Sequence, residues 1–251
     1  MTAAPLYLLH TQPDQRLLTT WMVRHRTSDP GEALHGLLRA AFGAHAPQPF
    51  RYLDEQRGLI AYTALDAQAM AAQVALADPL AAQTLGLGAC SAHDGYRLRP
   101  FPTQWAQGQE LGFELRLRPT VRSGQKEQDA FVHAVTLAGG PQGASVDRQA
   151  VYAQWLCEHL AVREGAARQP WQGAVELLDV RLSAFARSKV MRRTQSAPGQ
   201  SRQGRAIEGP DATLMGRLRV ADPVAFAQLL SRGVGRHRAY GFGMLLLQRA
   251  G

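Results

Sequence analysis

Two runs of segments in the order β-α-β-β-α-β, an Asp-Pro helix start in each run, and an apolar content of 45% over 251 residues predict an α+β protein. Its expected architecture is two tandem ferredoxin-like (RRM-like) units, a length that suits domains of about 100–150 residues each. The units are expected at 1–95 and 96–251, the second carrying a basic insertion at about 186–206.

The first run opens with PLYLLH (5–10) as a strand, followed by a polar, charged connection, TQPDQRLLTTWMVRHRTS. Asp29-Pro30 is an N-cap followed by proline at the first helical position. The helix EALHGLLRAAF (32–42) gathers Ala33, Leu37, Ala40 and Ala41 near one face and ends at Gly43. FRYLD (50–54) and GLIAYTAL (58–65) flank a short polar turn, as in a hairpin. DAQAMAAQVALADPLAAQTL is helical with an interruption at Pro79, and GLGACS begins the next extended stretch.

After YRLRPFPTQW (96–105) the order recurs. GFELRLRPTVR (112–122) alternates apolar and basic residues at the strand period of two. Residues 145–160 form a helix with Tyr152, Trp155, Leu156 and His159 on one side. AVELLDVRLSAF (174–185) and TLMGRLRV (213–220) are strands, DPVAFAQLLSRG repeats the Asp-Pro start, and GMLLLQ is the last strand.

Composition narrows the function. No apolar run approaches the ~20 residues that span a bilayer, so no membrane partner is expected. The start of the chain has no basic region before its short apolar stretch, which argues against a signal peptide. Cys90 and Cys157 are too few for a disulfide framework and suit a reducing cytoplasm. No metal site and no cofactor are expected. The net charge is +8, and all but two of the 28 Lys and Arg residues are arginine. That excess points to an anionic partner, and guanidinium forks match phosphates and base edges.

Two segments concentrate the charge. Between Arg181 and Arg205 there are six arginines, Lys189 and no acid. This stretch is either a solvated loop or a finger that orders on a phosphate backbone. Nearer the end, Gly233, Gly235, Gly241 and Gly243 interleave with Arg236, His237 and Arg238. A structural turn needs one or two glycines, so four suggest a backbone lying close to something anionic, with the amides of Gly233 and Gly235 turned to phosphate. The loop follows a helix rather than a first strand, which excludes a dinucleotide fingerprint.

GVGRHRAYGFGML (233–245) fits the glycine-rich signature of the CRISPR-associated endoribonucleases that cut precursor CRISPR RNA, and the chain most resembles their CasE-like branch. YRLRPFPTQ (96–104) is similar to a second stretch of that family, and EALHGLLRAAF resembles its N-terminal helix. The longer, more basic segment LLTTWMVRHRTSDPG before that helix and Arg238 in place of the usual lysine, together with the arginine finger, suggest the minimal type IV CRISPR systems, whose processing nucleases resemble this branch and stay attached to the RNA they cut. The resemblance implies metal-independent attack of a ribose 2′-OH on the adjacent phosphate, giving a 2′,3′-cyclic phosphate and a mature CRISPR RNA that the enzyme retains within an effector complex. It maps His35 onto the family's catalytic histidine, a residue type that can carry a proton near neutral pH. Its usual lysine is Arg238 here, which cannot easily act as a base but can neutralise a phosphate. An arginine-based site drawing on Arg24, Arg39 and Arg238 is therefore weighed beside the histidine one; Arg39 follows His35 at i+4 on one helix face.

RNA is the expected partner, through Arg187, Lys189, Arg192, Arg193, Arg202 and Arg205 on the stem, and Arg26, Arg97 and Arg99 nearby. Gly233, Gly235, Arg236, His237 and Gly241 are expected to hold the strand in the glycine-rich loop. Other subunits of a CRISPR effector are further expected partners. The competing readings are a catalytically silent RNA-binding subunit and a basic protein that binds DNA or a nucleotide.

Overall fold

The computed structural model describes residues 5–88, 95–123, 126–162, 169–193 and 204–249. In the first half, β1 (Leu6–Thr11), β2 (Phe50–Asp54), β3 (Gly58–Thr63) and β4 (Arg97–Phe101) form an antiparallel sheet in the order β2-β3-β1-β4. In the second half, β5 (Glu110–Leu117), β8 (Val175–Arg193), β9 (Gly204–Val220) and β10 (Leu245–Arg249) run β10-β5-β9-β8. Numbered within its own half, each sheet reads 4-1-3-2, so the two units share the ferredoxin-like topology. Between β5 and β8 lie a small hairpin of β6 (Thr120–Ser123) and β7 (Lys126–Asp129), then α5 (Ala130–Leu137) and α6 (Arg148–Leu160).

Helices α1 (Gln15–Arg24), α2 (Pro30–Phe42), α3 (Ala67–Ala75) and α4 (Pro79–Leu85) belong to the first unit. On α2 the buried residues Ala33, Leu34, Leu37, Leu38, Ala41 and Phe42 recur at helical spacing and form one stripe. That stripe packs with Leu9, Leu59 and Met70 on one face of the first sheet. The opposite face presents Leu6, Leu8 and Tyr62 to the second unit, where α7 (Pro223–Arg232) contributes Phe226, Leu229 and Leu230 to the shared core. Trp105 meets Phe226 edge-on at 5.1 Å, and the Tyr62 hydroxyl donates to the Leu245 carbonyl at 3.1 Å. The halves are thus joined through a continuous apolar layer.

The structure departs from the sequence reading in four places and adds β7 and α5, where no element was read. The polar connection after β1 contains α1, because Asp14 caps it by accepting from the Arg16 and Leu17 amides. The fourth strand of the first sheet is Arg97–Phe101, so this unit extends past residue 95; Gly86 closes α4 in a left-handed conformation, and GLGACS lies partly outside the described residues. Pro119 splits the strand read at 112–122 into β5 and β6. The basic insertion is a ribbon: β8 and β9 continue their ladder outward through Ala186↔Asp211 to Arg193↔Gly204.

Among the described residues no helix is long and apolar enough to cross a membrane.

Candidate nucleic-acid interface and active site

The β2 edge of the first unit meets the open face of the second sheet across a cleft of about 730 Å³. One wall is the start of α2 with β2, the other is the glycine-rich loop at Tyr240–Phe242, and the base of the ribbon completes it. Arg51, Arg116, Arg187 and Lys189 bring four cations to its lining.

Three of these cations already have carboxylate partners. Arg51 reaches from β2 to Glu114 on β5 at 3.0 Å, and burial pushes its guanidinium down to about 10 against the pull of Glu114. Arg116 binds Asp211 at 2.7 Å, and Arg187 binds Glu208 at 3.0 Å. A phosphate entering the cleft would exchange partners with these acids rather than meet bare charge.

His35 is half-buried on α2, with its ring 5.9 Å from that of Tyr240 in an edge-on arrangement. Its Nδ1 is buried without a hydrogen-bond partner. Burial first, and then the Arg39 guanidinium, push the imidazole below its ordinary value, with Glu32 opposing. The ring is therefore neutral at neutral pH and able to accept a proton. Arg39 is exposed one turn further on. The first turn of α2 is fixed by Asp29, whose Oδ1 accepts from the Gly31 amide at 2.9 Å and whose carboxyl is raised by burial.

Position 31 must be glycine for the two walls to meet, since a Cβ there would lie 2.4 Å from the Tyr240 carbonyl oxygen.

The glycine-rich loop is closed on itself. The Val234 amide donates to the Gly243 carbonyl at 2.8 Å and the Gly243 amide to the Arg116 carbonyl at 2.7 Å. Gly243 has φ of 79°, and a Cβ there would sit 2.2 Å from the Val234 carbonyl. The Gly233 amide donates to the Leu229 carbonyl, and the Gly235 amide donates to His159 Nε2 at 3.2 Å. These two amides are committed to protein acceptors. Gly241 packs against the Phe50 ring and lines the cleft.

The loop's cations are also held. Arg236 pairs with Glu127 of β7, and the same carboxylate lies 3.3 Å from His237 Nε2. Glu127 is kept charged by these two partners against its burial. His237 sits at φ of 61°, a strained left-handed conformation for a side-chain-bearing residue. Arg238 donates to the Arg232 carbonyl at 2.7 Å, at the end of α7, and burial lowers its guanidinium.

The remaining expected residues are dispersed. Arg24 and Arg26 are exposed around the end of α1, which reaches α2 through Trp21 beside Gly36. Arg187 and Lys189 lie at the cleft, whereas Arg192, Arg193 and Arg205 belong to the outer rungs of the ribbon and Arg202 lies outside the described residues. Arg97 and Arg99 are exposed on β4, the edge opposite β2, three strand spacings or about 14 Å from the cleft edge. Sequence reasoning missed Tyr240, Arg51, Arg116 and Glu127. Of these only Tyr240 had a signal, standing in the aromatic slot of GVGRHRAYGFGML. Among the described residues no group of three or more His, Cys, Asp or Glu side chains converges as a metal site would require.

The family model described as "CRISPR associated protein" matches residues 6–249, and the chain belongs to that family. Among solved structures, the fold is similar to that of the CRISPR endoribonuclease Cse3 bound to a 19-nucleotide RNA, with a TM-score of 0.58 at 18% identity over 97% of this chain and 99% of that one. Thermus thermophilus Cse3 bound to an RNA representing a pre-cleavage complex gives 0.57 at 17% identity, covering 97% and 98%. A chain of a CRISPR RNA-guided surveillance complex gives 0.54 at 16%, covering 97% and 100%. No curated protein sequence matches.

Proposed function

We propose that the chain is an endoribonuclease that binds the hairpin of a CRISPR repeat, cuts the precursor RNA to mature CRISPR RNA, and keeps the product as a subunit of an effector complex. The observation that carries this reading is a half-buried, neutral His35 whose ring stands beside that of Tyr240, a residue that lines the cation-bearing cleft. Family membership and the basic ribbon support it. The similar structures that are endoribonucleases or parts of a surveillance complex give the class of substrate and partner.

In the proposed reaction a ribose 2′ oxygen attacks the adjacent phosphorus while His35 takes the 2′ proton. The bond to the 5′ oxygen breaks, that oxygen takes up a proton, and a 2′,3′-cyclic phosphate is left. Arg39 supplies positive charge as the phosphorane forms, and Tyr240 is the candidate proton donor. In the arginine-based variant, Arg24 and Arg39 carry the site and His35 is secondary. The ribbon arginines hold an A-form stem by shape and charge. Assignment to a type IV system rests on the arginine finger together with the chain's departures from its close relatives before α2 and at Arg238.

A second reading, a silent RNA-binding subunit, is favoured by the commitment of Arg236 and His237 to Glu127 and of Arg238 to a backbone carbonyl. Incubating the chain with its own repeat RNA in EDTA separates the two. A single cut ending in a cyclic phosphate supports the enzyme; tight binding with intact RNA supports the silent subunit. Loss of cutting in His35→Ala supports the histidine site, whereas slow cutting in His35→Ala with full loss in Arg24→Ala or Arg39→Ala supports the arginine site.

A further inference from the structure

Arg118 follows directly on the last residue of β5, where the second sheet gives way to the base of the ribbon. It is only 2% exposed. Its Nη2 donates to the Ser188 carbonyl on β8 at 2.9 Å and to the Ile207 carbonyl on β9 at 3.2 Å, one acceptor from each strand of the ribbon. Ser188 pairs with Gly209 and Ile207 with Val190, so the guanidinium bridges two rungs of the ladder with the Lys189–Glu208 rung between them. Gly209 makes the room: a Cβ there would lie 2.5 Å from Arg118 Nη2.

The same guanidinium stands 5.7 Å from the centre of the Phe242 ring, and that of Arg116 stands 4.5 Å from it. Phe242 is buried in the glycine-rich loop, whose next amide, Gly243, is held by the Arg116 carbonyl. A span of three residues, Arg116 to Arg118, therefore fastens the ribbon and the loop to one strand. Arg118 achieves this with two donors, Nε and Nη1, buried and unpartnered. Each such donor carries its own desolvation penalty, which an apolar side chain of similar length would avoid while withdrawing the donor from the Ser188 and Ile207 carbonyls. The side chain thus combines two bonds to the ribbon with two uncompensated donors, an arrangement that fixes geometry at some cost in stability.

We propose that Arg118 is a positioning residue for RNA cleavage, setting the angle of the ribbon against the glycine-rich loop so that a gripped stem delivers its phosphate to His35 and Tyr240. This rests on the reading of the chain as an RNA-cutting enzyme. Removing the strut deletes none of the cleft-lining cations, so grip should largely survive while alignment fails; a displacement of about 1 Å can cost a hundredfold in rate.

The test uses the full chain and a labelled repeat hairpin under single-turnover, saturating conditions. Arg118→Met should stay folded and melt close to the wild-type temperature, bind within about threefold of wild type with an unchanged salt slope, and cut bound RNA at least ~10-fold more slowly. Arg118→Lys should recover part of the rate. Gly209→Ala, which displaces the guanidinium, should show a similar loss, and Arg118→Met/Gly209→Ala should be no worse than either variant alone. Wild-type cutting by Arg118→Met at saturation, or losses that multiply in the double variant, would overturn the proposal. Should the wild-type chain bind the hairpin without cutting it, the enzymatic reading fails, and hydrogen exchange then tests the strut. Arg118→Met should speed exchange of amides 186–193 and 204–211 but not of α2; unchanged exchange in the ribbon would overturn it.

Discussion

The Gly31 α-carbon lies against the Tyr240 carbonyl so closely that a single added methyl group would stand 2.4 Å from the oxygen. This contact joins the helix carrying His35 to the loop carrying Tyr240. Gly31→Ala should push the two walls apart, costing about 1–3 kcal/mol of stability as overpacking does. It should lower the cleavage rate of bound RNA at least ~10-fold. Thermal melting and single-turnover cleavage check both parts, and a full-speed Gly31→Ala would separate this contact from the chemistry.

His35 gives a prediction in pH. A base with a depressed value stays deprotonated below the ordinary imidazole value of ~6.5, so the acid limb of the rate profile should fall at lower pH than that. Arg39→Gln should move the limb upward, because the Arg39 charge helps hold the value down. His35→Gln should slow cutting by roughly 100-fold or more. The sign for stability follows from proton binding: below ~6.5 the unfolded histidine takes up a proton that the folded one resists, so the His35 contribution is present above that pH and is lost as pH falls. The wild type should lose this increment on acidification, and His35→Gln should not, in melts run between neutral and mildly acid pH.

Glu127 holds Arg236 and His237, two of the residues proposed to contact RNA. Glu127→Gln should release both cations and tighten hairpin binding severalfold at low salt, about 1 kcal/mol, with the gain fading as salt rises. Equilibrium binding at two ionic strengths measures it, and unchanged affinity at low salt would leave Glu127 as a purely structural partner of the loop.

The two ends of the basic surface should behave differently. Arg187→Ala and Lys189→Ala, at the cleft, should each weaken hairpin binding and reduce the salt slope by about 1. Arg97→Ala/Arg99→Ala, on the far edge of the first sheet, should weaken binding while leaving the rate of cutting of bound RNA intact. A salt titration combined with single-turnover rates distinguishes them.

Much of the fold was legible because it is written locally. The Asp-Pro starts at Asp29 and Asp222 each cap a helix with a side-chain oxygen, and Asp78-Pro79, read as an interruption of one helix, is a third such start. The hairpin of FRYLD and GLIAYTAL follows from alternation across a polar turn. The missed elements carry weaker local signals: α1 has Asp14 as cap but two threonines in its middle, and β4 contains Pro100, which is tolerated there because β4 is an edge strand. At the site, His35 and the glycine-rich loop stood out by residue type. Arg51–Glu114, Glu127–Arg236 and Gly31–Tyr240 did not, because each pairing joins residues distant in the chain and arises only when the sheets come together.

The carboxylates already seated on Arg51, Arg116 and Arg187 make the cleft an exchanger rather than an open trap. A passing polyanion gains only the difference between two ionic matches, which is small when it fits loosely. Only a strand shaped to satisfy several guanidinium groups together displaces the resident acids. Discrimination against the bulk of cellular nucleic acid can therefore arise without reading a single base.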